Sequence, residues 1–230
     1  MHQLPTYERI GHRGAPTEFT ENTLPSFRQA FVRGADAVEL DVHATAYGVV
    51  VVHHDPEIGG GALTSRLRGR PIAELDWADV ETIELPGEAR IPTLASVLAA
   101  VPEKATVYVE IKGRSIEDKV AAVLAATDRR CAVHSFDFGT VETFRRIAPD
   151  VPRGILLDSY PASLAGAIER AAAKYVWPEW GLIDRRLVET AHAAGARVIA
   201  WTVNSRDVAD ELVKLGVDGI CSDDLRPLSS

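Results

Sequence analysis

Short apolar runs rich in β-branched residues alternate with longer stretches rich in alanine and leucine along most of the chain. An apolar run bounded by turn residues predicts a buried strand, and the longer stretches between such runs predict helices. The order of helix, glycine and strand recurs, for example in AHAAGARVIAWTVN and in KLGVDGICSDD. The sequence therefore predicts repeated βα units, which build an α/β fold with a parallel sheet.

Nine apolar runs predict strands. They cover Glu8–Gly11, Ala37–Val42, Val49–His53, Thr106–Ile111, Cys131–Ser135, Gly154–Leu157, Tyr175–Trp177, Arg197–Val203 and Gly219–Ser222. Only a short loop around 44–48 precedes the third run, which is too little for a crossover helix but enough for a hairpin. Eight parallel strands remain, so we predict a TIM (β/α)8 barrel with a hairpin arm after the second strand. An open doubly wound sheet is the alternative, but the chain lacks the GxGxxG phosphate loop expected after its first strand.

Helix signals lie between the predicted strands. Asn22 or Thr23 is expected to cap the first helix, Pro25 suits its first turn, and Gly34 ends it. Further helices are predicted at about 73–84, 94–101, 116–127, 138–148, 162–172, 184–194 and 205–214. We interpret 1–230 as a single domain in which 55–92, with three glycines at 59–61, is a compact loop and helix insertion at the barrel mouth.

The overall charge restricts the possible partners. Lysine plus arginine number 25 and aspartate plus glutamate number 33, a formal net charge of −8. An acidic chain is a poor candidate for general binding to nucleic acid or to anionic membranes. No stretch approaches the roughly 20 apolar residues of a membrane span, and the N-terminus has no apolar run of secretory length. We therefore expect a cytoplasmic protein that acts on a small molecule. The oligomeric state cannot be predicted.

Charged residues occur in pairs within otherwise apolar strands. Glu39 and Asp41 are two residues apart, as are Glu110 and Lys112, so each pair faces one side of its strand. Active sites of TIM barrels lie at the carboxyl ends of the strands, where these pairs are expected to converge. Three carboxylates at one point need a cation, and oxygen ligands suit Mg²⁺ or Ca²⁺. The alternative is an internal salt-bridge network that uses Arg13 and Lys112.

Two histidines near strand ends are candidates for proton transfer. His12 follows the first strand and His54 follows the hairpin arm, whereas His53 is expected to face away. Arg13 and Lys112 offer positive charge for a phosphate. Trp201 is interpreted as a wall for the substrate.

Weaker signals lie nearby. The segment 21–23 could equally cap a helix or line the barrel mouth. Ser135, Asp223 and Asp224 are interpreted as loop or capping residues, and no role is assigned to His43, His134 or His192.

In order and spacing these residues resemble the glycerophosphodiester phosphodiesterase family. The resemblance runs from about residue 8 to 224 and rests on His12-Arg13-Gly14, Glu21-Asn22-Thr23, Glu39-Leu40-Asp41, His54-Asp55, Glu110-Ile111-Lys112, Trp201-Thr202-Val203-Asn204 and Gly216-Val217-Asp218-Gly219-Ile220. It implies a distorted TIM barrel that cleaves glycerophosphodiesters to glycerol 3-phosphate and an alcohol. One departure stands out, because Tyr47-Gly48 replaces the Asp-Gly turn usual in the family's hairpin.

The resemblance also implies roles. The family's ligands for one divalent cation match Glu39, Asp41 and Glu110, its acid–base pair matches His12 and His54, and its phosphate-binding residues match Arg13 and Lys112.

Three other functions remain open at this stage. A lysophospholipase D-like activity would need an apolar groove, for which Leu63, Leu67 and Trp180 are candidates. A non-catalytic barrel could bind phosphate-bearing metabolites, and a related barrel could isomerise or aldol-cleave a sugar phosphate.

Overall fold

The computed structural model describes residues 7–59, 62 and 66–228; Gly60, Gly61 and Leu63 lie outside this part of the chain. The strands within it are β1 (Glu8–His12), β2 (Ala37–Ala44), β3 (Val50–Val52), β4 (Glu84–Leu85), β5 (Ala89–Arg90), β6 (Thr106–Ile111), β7 (Arg130–Ser135), β8 (Arg153–Leu157), β9 (Tyr175–Pro178), β10 (Arg197–Ala200) and β11 (Gly219–Ser222). The α-helices are α1 (Leu24–Val32), α2 (Trp77–Val80), α3 (Leu94–Ala100), α4 (Glu117–Ala125), α5 (Phe138–Ile147), α6 (Leu164–Ala171), α7 (Arg185–Ala193) and α8 (Arg206–Leu215).

Eight parallel strands close into a barrel. The hydrogen-bonded order is β1, β11, β10, β9, β8, β7, β6, β2, and the pairing of β1 with β2 closes the ring. Helices lie between successive strands, so the predicted TIM barrel in a single domain is confirmed. Among the described residues, no helix combines the length and apolar character needed to cross a bilayer.

The hairpin arm is also confirmed. Strand β3 runs antiparallel to β2, with Val42 opposite Val52, and it does not continue the barrel. Gly48 has a φ of 84°, a left-handed conformation that glycine adopts at little cost, and its amide donates to the carbonyl of Thr45. The turn is therefore kept with Tyr47, whose side chain is exposed.

The barrel strands are covered on both faces, as parallel strands require. Along β2, Val38 and Leu40 pack into the layer between the strands and the helices. Ala37 belongs to a separate cluster with Tyr108 and Trp177, which fills the interior of the barrel. Glu39 and Asp41 share the inward face with Ala37, because strand side chains alternate. Both carboxylates are thus buried inside the barrel.

The predicted helix at 73–84 is wrong. A 3₁₀ turn spans Ile72–Glu74, and α2 has a single turn that Asp76 caps at its N-terminus. Leu75 between them is extended. The segment forms its own small apolar cluster against Val51 of β3, which a continuous helix could not build.

A smaller correction concerns a strand end. Strand β10 ends at Ala200 rather than Val203, and Trp201 makes only an isolated parallel bridge to Glu179. Cys131 and Cys221 are both free thiols; Cys221 is buried and Cys131 is partly exposed.

Candidate active site

Strand register brings the charged residues of β1, β2, β6 and β7 to one end of the barrel. His12 lies opposite Glu39, Asp41 lies opposite Glu110, and Glu110 lies opposite His134. These residues are at or near the carboxyl ends of their strands, where TIM barrels carry their chemistry.

The loop after β1 is folded tightly enough to aim His12 and Arg13 into this end of the barrel. Arg13 and Gly14 both have positive φ, 54° and 95°. Ser26 of α1 ties the loop down, because its hydroxyl donates to the carbonyl of Arg13 (3.0 Å) and accepts from the amide of Ala15 (2.8 Å). A Cβ on Gly14 would overlap Ser26, so only glycine fits there.

Glu39, Glu110 and His134 form a group that could hold a metal ion. One donor atom from each lies within 4.8 Å of the others, and all three residues are buried. Burial, together with the nearby charges of Asp41 and Glu39, raises the pKa of Glu110 to about 8 against the opposing effect of Lys112. Lys112 therefore does not offset the effects of burial and of the neighbouring carboxylates on Glu110. His134 packs against Trp177, and its Nδ1 has no hydrogen-bond partner among the described residues.

Asp41 has a different environment from the other two carboxylates. Its Oδ2 lies 3.1 Å from Nε of Arg13 and accepts from Nδ2 of Asn22 (2.8 Å), while Nζ of Lys112 lies 3.5 Å from its Oδ1. Burial acts to raise the pKa of Asp41, but Arg13 and Lys112 outweigh it, and the pKa lies below its ordinary value. Asp41 is therefore a carboxylate at neutral pH.

Hydrogen bonds hold the two cationic side chains that face the carboxylates, Arg13 and Lys112, in place. Nη1 of Arg13 donates to both carboxylate oxygens of Glu21, at 3.0 and 3.2 Å. Nζ of Lys112 donates to Oε1 of Glu110 at 3.0 Å. The alternative interpretation, a salt-bridge network that uses Arg13 and Lys112, thus describes the surroundings of Asp41 and reaches Glu110 through Lys112.

Each candidate acid–base histidine has a carboxylate at its Nδ1. His12 is 2.6 Å from Oδ1 of Asp223, and His54 is 2.8 Å from Oδ1 of Asp55. Burial acts to lower the pKa of His12, but the hydrogen bond to Asp223 and the charge of Glu39 outweigh it, and the pKa is raised. His43 donates from Nε2 to the carbonyl of His54 (3.1 Å) and so supports the hairpin arm.

These side chains surround one cavity of about 260 Å³. Its lining consists of His12, Arg13, Glu39, His54, Glu110, Lys112, His134, Phe136, Leu156, Trp177, Trp201, Thr202 and Cys221. Seven of the eight residues singled out from the sequence are among them. Asp41, the eighth, lies against Arg13 and Lys112, and His53 is not part of the lining either. Trp201 donates from its indole to the carbonyl of Trp177 (2.8 Å), which fixes its ring beside Phe136.

Sequence reasoning missed two groups in this site. His134 precedes Ser135 at the end of β7, and its position in the barrel register could have signalled an inward side chain. Asp223 was interpreted as a loop residue, because no spacing rule links it to His12 at the other end of the chain. The segment after the first loop serves both expected purposes, since Thr23 caps α1 while Glu21 and Asn22 bond to site residues.

A closed barrel with an inward cluster of carboxylates, histidines and cations at its strand ends defines the class of TIM-barrel enzymes. The model of the glycerophosphoryl diester phosphodiesterase family matches residues 12–226, and the chain belongs to this family. A glycerophosphodiester phosphodiesterase of Caldanaerobacter subterraneus subsp. tengcongensis is 30% identical over 227 residues, covering 94% of this chain and 93% of the relative.

Solved structures share the fold. A glycerophosphodiester phosphodiesterase of Agrobacterium tumefaciens superposes with a TM-score of 0.84 at 25% identity, covering 96% of this chain and 98% of that one. A phosphodiesterase of Oleispira antarctica in complex with the product sn-glycerol-3-phosphate gives a TM-score of 0.85 at 23% identity, covering 97% and 94%.

Proposed function

We propose that this protein hydrolyses glycerophosphodiesters to glycerol 3-phosphate and an alcohol, with one divalent cation and with His12 and His54 as the proton-transfer pair. The observation that carries the proposal is that two carboxylate-paired histidines, two cations and a ligand group for a metal line one cavity. Family membership supports the reaction, and a protein of the same fold binds glycerol 3-phosphate as product.

The residues fit a divalent cation. We propose Glu39, Asp41 and Glu110 as its ligands: burial and the neighbouring carboxylates raise the pKa of Glu110 despite Lys112, and Oδ1 of Asp41 has no hydrogen-bond partner among the described residues. Oxygen donors favour Mg²⁺ or Ca²⁺, and His134 is close enough to add a nitrogen donor. When bound, the cation would supply Lewis acidity toward a phosphoryl oxygen.

Arg13 and Lys112 are proposed to bind the phosphate. Both line the cavity and both carry hydrogen-bond donors, so they can hold phosphoryl oxygens while Glu21 keeps the guanidinium of Arg13 in place. Trp201 is proposed as the apolar wall against the glycerol or the alcohol group. These contacts would hold the diester between the two histidines.

The proposed chemistry needs two proton transfers. One histidine accepts the proton of the attacking hydroxyl, whose oxygen forms a bond to phosphorus, while the P–O bond to the alcohol breaks and the other histidine protonates the leaving oxygen. If the attacking group is the substrate's own 2-hydroxyl, a cyclic phosphate forms and water opens it in a second step. The opening requires the same two histidines in exchanged roles.

The test is a screen of the purified protein on glycerophosphocholine, glycerophosphoethanolamine and glycerophosphoglycerol, with Mg²⁺, Ca²⁺ or Mn²⁺. We expect release of glycerol 3-phosphate, measured with a coupled dehydrogenase, and its loss on addition of EDTA. No turnover on any of these diesters with any metal would contradict the proposal. Tight binding of a diester without product, measured by calorimetry, would instead favour a non-catalytic barrel.

The lysophospholipase D-like alternative has little support. Leu67 is only 7% exposed and packs into the apolar cluster of the 55–92 segment, so it does not offer a groove to an acyl chain. Trp180 is exposed, but it does not line the cavity.

A further inference from the structure

The imidazole ring of His12 is held by a hydrogen bond at Nδ1, the nitrogen that faces Asp223. Its Nδ1 is 2.6 Å from Oδ1 of Asp223, whereas its Nε2 lies on the side of Glu39, 4.0 Å from Oε2. His12 lines the cavity and Asp223 does not. The hydrogen bond that Asp223 makes to the cavity lining is therefore the one to His12.

Asp223 is itself fixed by Asn204. Nδ2 of Asn204 donates to Oδ2 of Asp223 at 2.8 Å. Oδ1 of Asn204 accepts from the backbone amide of Asp223 (2.9 Å) and from the hydroxyl of Ser222 (3.0 Å). A backbone amide can only donate, so the amide of Asp223 determines which end of the Asn204 side chain is oxygen, and the NH₂ group must face Oδ2 of Asp223. Asn204, Asp223 and His12 follow or end β10, β11 and β1, which are neighbours in the barrel.

We infer that Asp223, held by Asn204, is a positioning residue that keeps the neutral His12 ring in the tautomer with its proton on Nδ1. An aspartate accepts hydrogen bonds but cannot donate one, so the nitrogen that faces it must carry the proton. The lone pair of Nε2 then faces the cavity, where a proton acceptor is needed. The expected effect of Asp223 on the reaction rate rests on the proposed function, whereas its effect on the His12 tautomer does not.

Replacing Asp223 by asparagine has a defined consequence. Nδ2 of Asn204 still requires an oxygen at its end of the new amide, which places the new NH₂ group against Nδ1 of His12. Nδ1 must then accept, the ring proton moves to Nε2, and the lone pair no longer faces the cavity. The side chain keeps its size, so the change acts on the tautomer and not on packing.

Asp224 provides a matched control. It is the next residue, and its carboxylate is paired with the guanidinium of Arg226 at 2.8 and 2.6 Å rather than with His12. Asp224→Asn removes the same charge from the same loop and should leave the His12 tautomer and the turnover rate unchanged.

The direct test is ¹⁵N–¹H long-range correlation NMR of the imidazoles at alkaline pH, with His12 assigned by its loss in His12→Gln. We expect the Nδ1–H tautomer in the wild type and in Asp224→Asn, and the Nε2–H tautomer in Asp223→Asn. Asp223→Ala, which offers no acceptor, should also lose the pure Nδ1–H form. A wild-type ring with its proton on Nε2, or a tautomer unchanged in Asp223→Asn, would overturn the inference.

A kinetic double-mutant cycle tests the consequence for the reaction. Asp223→Asn should lower kcat by about 10²-fold or more with little change in KM. In a His12→Ala background it should lower kcat no further, because the group through which it acts is gone. Equal losses in both backgrounds would show a merely structural role and overturn the inference. Absence of turnover in the wild type would count against the proposed function alone, since the NMR experiment still decides the tautomer.

Discussion

At the scale of single residues, two buried carboxylates of the site, Asp41 and Glu110, have pKa values shifted in opposite directions. Burial favours the neutral acid in both Asp41 and Glu110. Asp41 lies against both Arg13 and Lys112, and its pKa falls. Glu110 has Lys112 but not Arg13 as a partner and lies near the carboxylates of Asp41 and Glu39, and its pKa rises to about 8. The charge that Glu110 lacks is what a bound cation would provide.

Glu110→Gln should therefore change how the stability of the metal-free protein depends on pH. The folded state holds a proton on Glu110 up to about pH 8, and the unfolded state loses it near the ordinary value of 4.5. Stability then falls as pH rises between these values, by at most about 1.4 kcal/mol for each pH unit. Urea unfolding should show Glu110→Gln to be more stable than wild type at pH 8.5 and little different near pH 4.5. A wild-type stability that rises over this range in parallel with the variant would contradict the assignment.

Loss of either candidate acid–base histidine should abolish most turnover. His12→Ala and His54→Ala are each expected to lower kcat by roughly 10²–10⁴-fold. The control is His192→Ala, because His192 is an exposed surface residue paired with Asp218. If one site variant retains wild-type kcat in steady-state assays, that histidine is neither acid nor base.

At the scale of secondary-structure elements, the two ends of the barrel have different roles. One end carries the cavity, and the opposite end contains hydrogen bonds that stabilise the fold. Arg153 begins β8 at the end opposite the cavity, and its buried side chain forms no salt bridge with a carboxylate in the part of the chain that the structure describes. It donates instead to four backbone carbonyls, those of Ala148, Pro149, Val151 and Ala171. These oxygens lie just after α5 and at the end of α6, where helical carbonyls lack intrahelical partners.

Arg153→Met should destabilise the fold without affecting the chemistry. It removes the donors to these four carbonyls, of which only that of Ala171 belongs to a buried residue, so we expect a loss of about 1–3 kcal/mol in unfolding free energy. Urea denaturation measures this loss, and kcat per folded molecule should stay at the wild-type value. A fall in kcat at full folding would show that this end of the barrel is coupled to the site.

At the scale of the whole molecule, closure of the barrel assembles the site from distant parts of the chain. The pairing of β1 with both β2 and β11 brings residues 12, 39 and 223 together. A cation bound among carboxylates of different strands would therefore tie the barrel together.

Mg²⁺, Ca²⁺ or Mn²⁺ should accordingly raise the melting temperature. At a metal concentration of 100 times Kd the gain is about 2.7 kcal/mol, which is roughly 5–10 °C for a domain of this size. Scanning calorimetry should show the shift in wild type and its loss in Glu110→Gln. An equal shift in both proteins would remove Glu110 from the ligand set.

The sequence by itself determined the barrel, the hairpin arm and most of the cavity lining. Strand runs and the inward pairs 39/41 and 110/112 follow from periodicity, which is a local property of the chain. The 73–84 segment was mispredicted because its apolar spacing also suits a helix, and only packing against Val51 decides between the two.

What only the tertiary structure decided is which of these side chains touch. It placed Asp41 between Arg13 and Lys112, brought His134 to Glu39 and Glu110, and set Asp223 against His12 across 211 residues of sequence. Such contacts depend on strand register and on barrel closure. Local patterns determine which face a side chain occupies, whereas hydrogen bonds between distant segments determine its partner and hence its charge and tautomer.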